Sequence, residues 1–85
     1  MQEIARFLGI VITMYHNDHG VPHFHARYGE FKIVVEIDAG TVRGVFPRRK
    51  QEQVLAWLRL HRQELLNNVA RIRNGTAPRR IAPLE

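Results

Sequence analysis

His23-Phe24-His25-Ala26-Arg27-Tyr28-Gly29-Glu30-Phe31-Lys32-Ile33-Val34-Val35-Glu36 is the stretch that decides the fold. Successive strand residues point to opposite faces, so Phe24, Ala26 and Tyr28 share one side while His23, His25 and Arg27 share the other. Glycine at the first central position of a two-residue hairpin turn accepts the positive φ required there, which makes Gly29-Glu30 the turn. Tyr28 then faces Phe31, Ala26 faces Ile33 and Phe24 faces Val35, and that side is apolar throughout. On the other side Arg27 meets Lys32, His25 meets Val34 and His23 meets Glu36. A slip of one residue would mix the two faces, so the pattern selects this register.

Working outward, Ile10, Ile12 and Met14 alternate with Val11, Thr13 and Tyr15, which predicts a strand over about Leu8 to Tyr15. His16 to Val21 is polar, with the Asn, Asp and Gly that favour tight loops. Downstream, Asp38-Ala39-Gly40 predicts a turn into a fourth strand over 41–46. Pairing Ile37 with Val42 would place Glu36 opposite Arg43 and create an outer row His23, Glu36, Arg43. Pro47 ends that strand and suits an early helical position. From about 48 to 74, Val54, Leu58, His61, Leu65, Val69 and Ile72 recur at helical spacing, with Leu55, Trp57 and Leu66 widening the stripe. Trp57 falls near one edge of it and Leu60 off it. Asn74-Gly75 is a C-terminal stop. Such a helix is roughly 40 Å long, more than a small sheet covers, so its far end should project, bend or meet a second subunit. Residues 75–85 read as a basic extended tail that docks through Ile81 and Leu84. The expected architecture is α+β in a single domain over 1–85. A four-stranded antiparallel β-meander packs on one long C-terminal α-helix, followed by the tail.

The chain has 85 residues, 45% of them hydrophobic, and no cysteine. That is enough for one modest core, and it excludes disulfides and thiolate metal sites. No apolar run approaches the roughly 18 residues of a membrane span. Met1 to Leu8, with Glu3 and Arg6, lacks a signal peptide's apolar region. A soluble cytoplasmic protein with no membrane contact is expected. The net charge is +5 and the pI near 10.8, which favours polyanionic partners without specifying one.

Three places carry candidate chemistry. On the histidine face, His23 and His25 with Asp18 and His19 of the preceding loop are donors of the kind a divalent transition metal accepts. Glu36 is a further ligand or an orienting group for His23. His23, His25 and Glu36 are equally the candidates for general acid/base catalysis, since a histidine beside a carboxylate titrates near neutrality. The plainer alternative is that these groups satisfy a turn. Arg48-Arg49-Lys50 stand at the helix start, where the dipole already disfavours cations. Free N–H groups and three cations there would bind phosphate, with Arg27 and Arg43 on the sheet as further contacts. Solvent screening alone is the alternative. His61, within the apolar stripe, reads as a buried or boundary residue with one bonded nitrogen.

The run Tyr15 to Gly29, with Asn17-Asp18-His19 and then Pro22-His23-Phe24-His25-Ala26-Arg27-Tyr28-Gly29, resembles the signature of a family of small prokaryotic proteins filed as domain of unknown function 4160. The likeness extends to Glu3-Ile4, Arg6-Phe7, Gly9 to Ile12, Pro47-Arg48-Arg49, Trp57-Leu58, His61-Arg62 and Glu64 to Leu66. Gly20-Val21 departs from the Asn and Pro expected in that loop. The resemblance implies no established activity. It does imply a neighbouring small protein partner, in an arrangement similar to toxin–antitoxin pairs. Two readings therefore stay open. One is a module that binds nucleic acid or a small protein, with a homo-oligomer as a further form. The other is a small histidine- or metal-dependent enzyme that cleaves phosphodiester bonds in RNA.

Overall fold

A computed structural model of the chain describes residues 2–15 and 20–84. Five strands, β1 (Gln2–Phe7), β2 (Ile10–Met14), β3 (His23–Tyr28), β4 (Phe31–Glu36) and β5 (Val42–Val45), precede one helix, α1 (Arg48–Arg73). The strands form a single antiparallel meander in the order β1-β2-β3-β4-β5. The central hairpin has the register derived above, from His23 opposite Glu36 to Tyr28 opposite Phe31. Gly29 takes φ +57° at its turn.

The sheet has one strand more than the sequence pattern indicated. The expected first strand, Leu8 to Tyr15, begins instead at Ile10, because Leu8 and Gly9 both adopt positive φ and turn the chain back onto β1. A register shift between Glu3 and Ala5 hides β1 from a search for alternation. Ile4 and Ala5 are consecutive and both buried, as at a bulge. The turn after β4 also differs from expectation. Ile37 does not pair with Val42; Val35 does, and Val34 stands opposite Arg43. Glu36 instead donates its amide to Thr41 and accepts from Gly40. Ile37 leaves the ladder, its amide bonded to the Pro22 carbonyl and its side chain in the core. The shift is two residues, so each side chain keeps its face, but the row His23, Glu36, Arg43 does not form.

The helix lies on the Phe24 side. Trp57, Leu58 and Leu65 are buried with Phe24, Ala26, Ile33 and Val35 in one cluster, and Val42 packs at its margin. Trp57 is fully buried at its centre rather than at a stripe edge, with rings of Phe7 and Phe24 at 5.4 and 5.7 Å. Leu60 is exposed. The long helix bends: His61 leaves helical geometry (φ −123°, ψ 20°). Its Nδ1 donates to Glu64 Oε1 at 2.5 Å, and its ring packs on Trp57. Next to it, Arg62 Nε donates to the Ile37 carbonyl, fastening the bend to the turn after β4.

The tail docks as expected through Ile81 and Leu84, and it does so along the outer edge of β1. The Ile81 amide donates to the Ile4 carbonyl, the indole of Trp57 donates to the Ala82 carbonyl, and Asn68 bonds both backbone groups of Arg79 at 2.8 Å. A sheet edge that would otherwise offer unpaired backbone is thereby covered.

Candidate nucleic-acid interface

The face of the sheet turned away from α1 carries the polar members of every strand pair. One row across it is Glu3, Thr13, His25, Val34, Arg43; the next is Arg6, Val11, Arg27, Lys32, Val45. Across this face short side chains (Val11 and Thr13 on β2, Val34 on β4) alternate with long ones (His25 and Arg27 on β3, Lys32 on β4, Arg43 on β5), and Tyr15 stands just past the end of β2. The difference in height leaves a cleft of about 390 Å³ lined by all eight. The cleft follows from the alternation of β2 to β5: the residues that could not be buried stand beside those too short to fill the space between them.

Its electrostatics are one-sided. Arg27, Lys32 and Arg43 are exposed, and none has an ion pair within the sheet among the described residues. Arg27 and Lys32 are direct cross-strand partners, an unfavourable placement of like charges. Two acids share this face: Glu36, opposite His23 at the histidine end, and Glu3, at the β1 edge, which is already occupied. Arg6 bonds it at 2.8 Å and Arg80 of the tail at 3.4 Å, and hydrogen bonding to Arg6, with the charges of both arginines, holds its carboxyl below the usual glutamate range against the opposing effect of desolvation.

The helix-start cations divide. Lys50 donates to the Leu8 carbonyl at 2.8 Å and lies 4.9 Å from the Tyr28 ring centroid, so its charge fastens the β1–β2 turn. Arg48 and Arg49 are exposed. Pro47 provides no side-chain cap, and the first helical turn holds no acid. The Lys50 contacts fix this helix start at the end of the sheet where the Leu8-Gly9 and Gly29-Glu30 turns lie. That is also the end to which Arg6, Arg27 and Lys32 belong.

The histidines sit toward the other end. His23 Nδ1 is 2.7 Å from the Val21 carbonyl; a carbonyl only accepts, so Nδ1 carries the proton and Nε2 is the basic nitrogen of the neutral ring. His25 packs between Tyr15 and His23, with ring centroids at 4.4 and 5.4 Å. Glu36 is opposite His23, as expected. Asp18 and His19, the other metal candidates, lie outside the described residues. Among the described residues no three His, Asp or Glu side chains converge as a metal site would require. His61 is a boundary residue bonded through one nitrogen, as its position in the stripe implied. Thr13, Tyr15 and Lys32 are site residues that sequence reasoning did not single out. The signal for them was the strand parity that had already placed His25 and Arg27.

A family model described as a domain of unknown function, DUF4160, matches residues 9–68. That span contains β2 to β5, the whole lining of the cleft and most of α1, and it leaves out β1 and the tail. Neither a curated protein nor a solved structure matches the chain. Among the described residues no helix is long and apolar enough to cross a membrane.

Proposed function

The chain belongs to the DUF4160 family, and from that premise, which brings no activity with it, we propose that it is a nucleic-acid-binding module whose contact surface is the outer face of the sheet. The observation that carries this reading is the cleft that Arg27, Lys32 and Arg43 line together with Val11 and Val34. Cations set opposite one another oppose folding slightly and are compensated by an anion of matching spacing; a polyphosphate backbone is such an anion. Arg48 and Arg49, at the same end of the sheet as Arg27 and Lys32, extend the positive surface beyond it.

The test is a titration of a labelled RNA followed by fluorescence anisotropy across a salt series. Binding should weaken with salt. The Arg27→Gln, Arg43→Gln double variant should lose affinity and flatten the slope by about 0.7–0.9 per phosphate contact removed. Absence of salt-dependent binding, or a double variant with the parent's affinity and slope, rejects the reading.

One observation favours a catalytic version: His25 lines the same cleft as the three cations. Phosphodiester cleavage would use an imidazole for proton transfer and Arg or Lys for the charge that develops. Incubated RNA separated on a gel decides it. Cleavage that is lost in His25→Ala supports the enzyme, and intact RNA supports the binding module. Elemental analysis of the purified protein tests the metal-dependent form of the enzyme, in which Asp18 and His19 would join His23 and His25.

A further inference from the structure

We infer that the cleft takes one unpaired base, so that the partner is single-stranded RNA rather than a duplex. This rests on the nucleic-acid reading above and goes beyond it, because a purely electrostatic surface has no use for an apolar lining. Three features of the cleft point the same way. Its apolar lining is Val11 on β2 and Val34 on β4, on either side of β3, and it includes Tyr15, which is 38% exposed with its ring perpendicular to that of His25. An aromatic and two valines offer a base its π-face and little to hydrogen-bond, as stacking platforms for single strands do. A volume of about 390 Å³ suits one nucleotide and not a paired one, whose base is already stacked within a helix. The cations occupy the β3–β5 side of the cleft, Arg27 and Lys32 in one row and Arg43 in the next beside Val34, and leave the β2 side to Val11, Thr13 and Tyr15. A base placed against β2 would leave its flanking phosphates on the side where the charge stands.

Two polar groups complete the lining. Thr13 and His25 are direct cross-strand neighbours, which places a hydroxyl and an imidazole side by side in the same cleft. A 2′-hydroxyl both donates and accepts, and is the group that distinguishes RNA from DNA. The pair therefore assigns RNA in preference to DNA.

The experiment compares three labelled probes on the full chain at one salt concentration: a single-stranded RNA, the same RNA annealed to its complement, and a DNA strand of the same sequence. The single-stranded RNA should bind tightest. Tyr15→Leu should weaken it by about ten-fold, a loss within the range measured for single stacked bases, while Tyr15→Phe should restore it. The duplex should be insensitive to both changes. Duplex bound as tightly as the single strand, or DNA as tightly as RNA, overturns this assignment and leaves nucleic-acid binding standing. No binding to any probe overturns both. Circular dichroism of Tyr15→Leu separates lost stacking from lost folding, and Tyr15→Phe repeats the test without removing the ring.

Discussion

Reversing one charge on the outer face should make the protein more stable and less able to bind, and the size of the gain can be worked from the register. Arg27 and Lys32 face each other directly across β3 and β4, where Cβ atoms are about 4.5–5.5 Å apart. Two unit charges about 5 Å apart in water repel by about 0.8 kcal/mol. Both side chains are exposed and free to splay, which cuts that to a few tenths. Lys32→Glu removes the repulsion and adds an attraction of similar size, so the net gain at low salt is about 0.5–1 kcal/mol. For a chain of 85 residues this raises Tm by about 2–8 °C. Lys32→Gln should give about half as much. Thermal unfolding at low salt, repeated at about 1 M salt where the screening length is about 3 Å, isolates the Coulomb part: the gain should nearly vanish. RNA affinity should fall in the same variant. A Lys32→Glu protein no more stable than its parent at low salt, or one whose gain survives about 1 M salt, would refute the claim that these cations repel one another across the sheet.

Two further outcomes test what holds the tail. Asn68 is buried and satisfied by both backbone groups of Arg79; Asn68→Ala should cost about 2 kcal/mol by urea unfolding, from two hydrogen bonds of about 1 kcal/mol each, and should speed hydrogen exchange at the Ile81 amide more than in the core strands. Glu3 links β1 to the tail through Arg80, and its folded pKa lies below the ordinary value of 4.5. An acid with a depressed folded pKa contributes stability that is fully present above its unfolded pKa and lost as pH falls through the folded one. The parent should therefore exceed Glu3→Gln at neutral pH in unfolding experiments, and the two curves should converge as pH falls below 4.5 and through the lower folded pKa.

The central hairpin was legible because alternation and turn chemistry agreed there: one glycine at the turn and three apolar pairs leave a single register. The helix was legible from its stripe, and so were its excess length and the docking residues of the tail. What escaped was whatever departs from simple periodicity. The Glu3–Ala5 shift places two adjacent residues inside and disguises β1. Leu8, a residue rarely found at positive φ, gives no sign that a turn is there, and Lys50 compensates from 42 residues away through the Leu8 carbonyl. Asn68 looked like any polar residue of a helix; only the returning tail reveals that it is a backbone mimic.

The error that bears most on function is the two-residue shift after β4, and its cause is local. Parity alone allows Ile37 or Val35 opposite Val42, since both belong to the core face. The choice falls to the turn, where Ile37 gains more by leaving the ladder: its side chain is fully buried and its amide finds Pro22. Glu36 then closes the hairpin with Thr41, and Arg43 moves two residues along β4, from Glu36 to Val34. Opposite a carboxylate, Arg43 would be one half of an exposed ion pair, worth little to stability and offering little charge to a ligand. Opposite a valine, with Lys32 and Arg27 in the next row, it lines a cleft together with Val11 and Val34. The same four-residue turn that completes the core therefore decides whether the outer face presents a neutralised row of side chains or a cleft lined by three cations.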